Sequence, residues 1–243
     1  MKRVIVTVAH GDDETNGMGG TILALKKAGW AVTILYATLP TDLAKAFDRK
    51  TECEAAAAAF GAISIMWDEP DGSISDDQKT RRRMTELMDE IRPDLVLSLW
   101  GIDVHPDHRV LSSLTLGYTM QKGRNVEHFA CELCSSGRHT SGDRPQSLGF
   151  HPTHYVPMDE YQDQVAEITR CHASQDPEAM ILGMERVHQN RAQETGGCKR
   201  AEGWVRLTRV GPLQHGLDEI FVSTIYTMPR SMGVDFLPET IGL

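Results

Sequence analysis

Apolar and polar positions change their period repeatedly along the 243 residues. Residues 3–9 form a short apolar, β-branched run, the pattern of a strand buried on both faces. Residues 20–29 (GTILALKKAG) switch to helical spacing and stop at a glycine. The alternation continues with a strand over 32–37, an alanine-rich helix over 48–60 closed by Gly61, and a strand over 63–67. A helix over 75–91, a strand over 94–100, a helix over 107–120 and a strand over 127–133 complete a β-α-β-α-β-α-β-α-β series. The series predicts an α/β fold in which a mainly parallel sheet carries helices on both faces. Residues 134–151 are polar and read as a long loop over a site, the segment expected to decide substrate choice. A short strand (153–156), two helices (159–171 and 177–191), a Gly-rich turn (ETGGCKRAEGW) and a tail without periodicity from 228 follow. No repeat or linker divides the chain, which predicts one domain over 1–243 with C-terminal additions.

Composition narrows the function. A net charge of −9, with Lys and Arg scattered apart from Arg81–Arg83, argues against a nucleic-acid partner. No apolar stretch approaches the roughly 20 residues of a membrane helix, and VIVTVA is too short for a signal peptide. Five cysteines, an odd number, argue against a disulfide framework and for a reducing, cytoplasmic setting.

The chemistry collects at two places. Strand 1 runs out into His10-Gly-Asp-Asp-Glu14, and strand 4 into a loop holding His105-Pro-Asp-His108. In an open parallel sheet, ligands bind beyond the carboxyl ends of the strands where strand order reverses, and in the common winding order strands 1 and 4 meet there. Clustered carboxylates repel, and a divalent cation offsets that cost. His10, one of the aspartates and one of the two later histidines make a set of two imidazoles and one carboxylate. That is the donor set of catalytic zinc, with a position left for water. Such an ion lowers the pKa of water toward 7, leaving the second aspartate to accept a proton and the remaining histidine to serve the oxyanion or the leaving group. Adjacent side chains diverge, so one aspartate is ligand and the other base; spacing alone does not assign them.

The stretch His10–Glu14, followed by GMGG, resembles the AHPDDE motif of the PIG-L/LmbE family of zinc-dependent N-deacetylases, and His105–His108 resembles its second motif. Arg49-Lys-Thr-Glu52, His172-Ala-Ser-Gln175 and the GGCKRAEGW segment resemble three further family segments, so the likeness spans residues 1 to about 205. The resemblance implies a Rossmann-like, three-layer fold and one Zn2+ held by His10, Asp13 and His108. It implies Asp12 as general base and His105 as the group that stabilises the oxyanion or protonates the amine. Arg49 matches a substrate contact, and Asp71 is assigned to a sugar hydroxyl. The implied reaction removes an N-acetyl group from a small amino-sugar molecule. Monomer and homo-oligomer both stay open, since family members vary. Gly11 departs from the family's proline, which loosens the turn without removing a ligand.

Three rivals fit less well. A receiver-like module needs a lysine after strand 5, which CELCSSGR lacks, and leaves HPDH without a purpose. A dinucleotide-binding dehydrogenase wants G-x-G-x-x-G where this chain has acids. A non-catalytic sugar-binding relative should have lost the base or a ligand, and none is missing here.

Overall fold

The computed structural model describes residues 1–133, 149–208 and 212–223. The expected loop at 134–151 falls mostly, and the tail from 228 wholly, outside the described residues. Eight strands form one sheet in the order β3-β2-β1-β4-β5-β7-β6-β8. The strands are β1 (Arg3–Val8), β2 (Ala31–Leu39), β3 (Ile63–Pro70), β4 (Leu95–Leu99), β5 (Glu127–Cys131), β6 (His154–Pro157), β7 (Ala201–Arg206) and β8 (Val222–Ser223). The first five pair in parallel and the last three antiparallel. The helices are α1 (Asp13–Lys27), α2 (Leu43–Phe60), α3 (Gln78–Ile91), α4 (Pro106–Thr119), α5 (Gln162–Thr169) and α6 (Pro177–Thr195). α1, α2, α5 and α6 pack together, and α3 packs on α4, which makes three layers.

Local chemistry sets the boundaries. Asp42 caps α2 by accepting the Lys45 N–H at 3.0 Å, and Gly61 closes the helix at φ 66°. Asp77 caps α3 through Thr80 N–H at 2.8 Å. His105 caps α4, with Pro106 in its first turn.

Two expectations need correction. α1 starts at Asp13, not at Gly20, because its apolar stripe is no guide: residues 13–25 are all buried, and the helix touches sheet and helices alike. Its glycines are close contacts rather than breakers. A Cβ on Gly17 would lie 2.9 Å from Cys131 Sγ, on Gly19 2.7 Å from Val165, and on Gly20 1.7 Å from Met158 Sδ. The AEGW end of the expected turn is strand β7, paired antiparallel with β5 and β6. Its Glu202 accepts the Gly20 and Thr21 N–H groups at 2.8 and 2.9 Å, while Trp204 Nε1 donates to Thr21 Oγ1 at 3.0 Å. The segment is therefore a brace for α1. Among the described residues Cys53, Cys171 and Cys198 are free thiols, and no helix is long and apolar enough to cross a membrane.

Buried His128 on β5 gives the fold an acid sensitivity. Its two ring nitrogens lie 2.8 Å from Ser98 Oγ and 2.8 Å from Thr119 Oγ1. Desolvation pulls its pKa down to about 3. The unfolded chain takes up this proton near pH 6.5 and the folded chain only near 3, so stability falls as pH drops through that window. Between pH 7 and 5 the wild type should lose about 2 kcal/mol more than His128→Gln. Urea titrations of both proteins at the two pH values measure this; equal losses would contradict it.

Candidate active site

β1 and β4 are neighbours in register, Val4 beside Leu95 through Thr7 beside Ser98. Their carboxyl ends therefore deliver residues 10–14 and 100–108 to one crevice, as the winding argument expects. Three donor atoms converge there. His10 Nδ1 lies 3.0 Å from His108 Nε2 and 3.5 Å from Asp13 Oδ2, and His108 Nε2 lies 3.5 Å from the same oxygen. Ligands about 2.1 Å from a tetrahedral zinc stand roughly 3.3 Å from one another, so the triangle has the dimensions of one face of such a site.

Each corner is aimed by a neighbour. Asp13 Oδ2 accepts N–H groups from Ala9 at 3.1 Å and His10 at 2.9 Å. Asp103 Oδ1 stands 3.1 Å from His108 Nδ1 and accepts His105 N–H at 2.7 Å. Arg109 Nη1 donates to the carbonyls of Asp103 and Val104 at 2.7 and 2.8 Å, fixing that loop. The far nitrogen of His10, Nε2, faces Asp71 at 3.2 Å and Asp107 at 3.4 Å. Carboxylates behind ligating imidazoles fix ring orientation and raise basicity. Sequence reasoning missed Asp103 and gave Asp107 no role in the site. Asp107 instead accepts Gly72 N–H at 2.7 Å and Ile74 N–H at 3.2 Å, tying the loop after β3 to the site.

The electrostatics ask for positive charge. Desolvation alone would lower the His108 pKa, but Asp13 and Asp103 outweigh it and raise the value. At His10 the Asp107, Asp13 and Asp71 carboxylates likewise overcome burial. Burial works to raise Asp13, yet His108 and His10 hold its carboxyl well below the usual range. A cation at the triangle would replace the ring protons and meet the same demand.

Titratable groups surround the triangle. Burial first, then the Asp13 charge, push the Asp12 carboxyl up to about 7, against Arg49, His172 and His10. A cation beside it would draw that value down. Asp12 is the residue before α1, but its side chain makes no capping bond. Its backbone sits at φ 134°, ψ −25°, a conformation that costs an L-residue about 1–3 kcal/mol. His105 accepts the Asp107 N–H on Nδ1 at 3.3 Å, which leaves Nε2 as the N–H donor. Desolvation, then His10 and His108, lower its pKa, so the ring is neutral near pH 7. Asp71 is half exposed at the rim.

The remaining predicted residues fall differently. Arg49 is largely buried, and its Nη1 donates to the Gly11 carbonyl at 2.6 Å. Buried His172 lies 2.7 Å from Glu14 Oε1 through Nε2. His10, His105 and His108 also come within metal-sharing reach, as do His10, Asp71, His105 and Asp107, with donor atoms inside 4.8 Å of one another. His105 belongs to both sets and Asp107 to the second; His105 Nδ1 accepts the Asp107 N–H, and the Asp107 carboxylate accepts those of Gly72 and Ile74.

Gly11, the departure from the family pattern, has a local cause. A Cβ there would lie 2.1 Å from Cys53 Sγ. Gly11→Ala should destabilise the fold by about 1–3 kcal/mol through overpacking, and adding Cys53→Ala should recover most of that loss. Urea unfolding of the single and double variants checks this; additive costs would contradict it.

Residues 5–119 match the PIG-L family model, described as GlcNAc-PI de-N-acetylase. Solved structures share the fold at low identity. The 4-carboxy-2-hydroxymuconate hydratase of Pseudomonas putida superposes with a TM-score of 0.70 at 19% identity, covering 88% of this chain and 100% of its own. A conserved Thermus thermophilus protein gives 0.69 at 22% identity, over 87% of this chain and 98% of its own. The N,N'-diacetylchitobiose deacetylase of Pyrococcus horikoshii gives 0.69 at 18%, over 88% of each chain. The family match covers the residues that build the crevice, and these proteins share the fold, so the chain is similar to the PIG-L family over residues 5–119.

Proposed function

We propose that the protein is a zinc-dependent N-deacetylase that hydrolyses the N-acetyl amide of a small amino-sugar molecule. The observation that carries this reading is the triangle of His10 Nδ1, Asp13 Oδ2 and His108 Nε2, with edges of 3.0, 3.5 and 3.5 Å. These three residues would hold the ion, which when bound acidifies water and polarises a carbonyl. Asp12 accepts the proton of the attacking water, and the same proton is then available to the departing amine nitrogen. The Nε2–H of His105 donates to the oxygen of the amide carbonyl as negative charge develops on it. Asp71, exposed at the rim beside His10, takes a sugar hydroxyl. Arg49 has Nη1 committed to Gly11, and its substrate role falls to the rest of its guanidinium. The deacetylase among the similar folds and the family description both favour N-acetyl sugars. A sugar-binding module without catalysis gains nothing from a buried carboxylate on a strained turn, which favours the enzyme reading.

The test is a panel of N-acetylated glucosamine derivatives incubated with zinc-loaded protein and scored for free amine and acetate. Zinc-dependent release from at least one member is expected. Absence of release across the panel, from protein shown to hold one zinc per chain, would contradict the reading.

A further inference from the structure

We infer that His172 and Ser174, in the turn between α5 and α6, are positioning residues for Asp12: they grip the Gly11–Asp12 peptide at both of its polar ends. The inference rests on the reading of Asp12 as the base. The amide end of that peptide is held first. Asp12 N–H donates to Glu14 Oε2 at 3.0 Å, and Glu14 Oε1 lies 2.7 Å from His172 Nε2, with both of these side chains fully buried. The carbonyl end is held second. Gly11 O accepts Arg49 Nη1 at 2.6 Å, and Arg49 Nη1 faces Glu52 Oε2 at 3.9 Å. Glu52 in turn accepts Ser174 N–H at 2.7 Å and Ser174 Oγ–H at 2.8 Å.

Both chains of contacts thus end within three residues of each other, far along the sequence from the base. On the other side of Asp12, its own carbonyl accepts Asn16 N–H at 2.9 Å and Thr15 Oγ1–H at 2.9 Å as α1 begins. With the peptides before and after it both fixed, Asp12 has no backbone rotation left, which is how a φ of 134° persists at a residue with a side chain. A carboxylate on a freely relaxing turn would swing away from the water it must deprotonate, and a misplacement of about 1 Å costs on the order of a hundredfold in rate. The segments resembling R-x-x-E and H-x-S-Q are thereby joined into one device. Neither histidine nor serine touches substrate in this scheme.

Three variants test it, each measured for kcat, KM and bound zinc, and each crystallised beside the wild type. His172→Phe keeps a ring but frees Glu14, and should lower kcat about a hundredfold with KM and zinc content unchanged. Exposed Ser174→Ala, which leaves the core intact, should lower kcat about fivefold, the worth of one hydrogen bond. Glu14→Gln keeps an acceptor for Asp12 N–H and should retain most of the rate. In the His172→Phe crystal, Asp12 should leave positive φ. Unchanged kcat and unchanged Asp12 backbone in the first two variants would overturn the inference, as would loss of zinc in step with kcat. If the wild type deacetylates nothing, the functional reading fails on its own, and the Asp12 backbone in the variant crystals still decides the positioning claim. Should His172→Phe not fold, Ser174→Ala carries the test.

Discussion

Asp12→Asn should retain one zinc per chain and lower kcat by about a hundredfold to ten-thousandfold, the usual contribution of a positioned general base. The substitution is isosteric and touches none of the triangle atoms. It removes no capping bond, since the Asp12 side chain makes none, and its nearest cationic partner, Arg49 Nη1, is 4.0 Å away. It also relieves a repulsion, because Asp13 and burial both disfavour the Asp12 charge. Stability should therefore hold or rise while turnover collapses, the pattern of a residue kept for chemistry at the expense of the fold. Steady-state kinetics, metal analysis and thermal unfolding of the same preparation check the three statements together. Full activity would move the base elsewhere, and a lost metal would make Asp12 a ligand.

His108→Ala is expected to abolish stoichiometric zinc, and activity with it. The imidazole supplies one corner of the triangle, and its removal leaves Asp13 Oδ2 with His10 alone at 3.5 Å. Asp103→Asn probes the layer behind. Asp103 Oδ1 stands 3.1 Å from His108 Nδ1, and losing such a carboxylate typically weakens metal binding by about tenfold to a hundredfold. Competition against a chromophoric chelator reads both affinities. Wild-type affinity in His108→Ala would remove that residue from the ligand set.

The parallel half of the fold was open to reading because strands buried on both faces are written as nearly continuous apolar runs, as in β1 and β4. The meeting of His10–Glu14 with His105–His108 followed from strand order alone. Where the reading failed, long-range packing had overridden local pattern. The start of α1 was hidden because Gly17, Gly19 and Gly20 look like breakers, whereas their missing side chains admit Cys131, Val165 and Met158. β7 was hidden because its AEGW stretch looks like a turn until β5 and β6 supply partners on either side. Asp103 carries no spacing signature, since its value lies in meeting His108 after the loop folds back. The pairings of Glu14 with His172 and Glu52 with Ser174 join residues more than a hundred apart, which no period along the chain encodes.

The most direct test is anomalous diffraction on either side of the zinc absorption edge, from crystals grown with one equivalent of the metal. A single peak is expected about 2.0–2.2 Å from His10 Nδ1, Asp13 Oδ2 and His108 Nε2. No peak at full protein occupancy, or a peak on the opposite edge of the His10 ring between Asp71 and Asp107, would contradict the assignment.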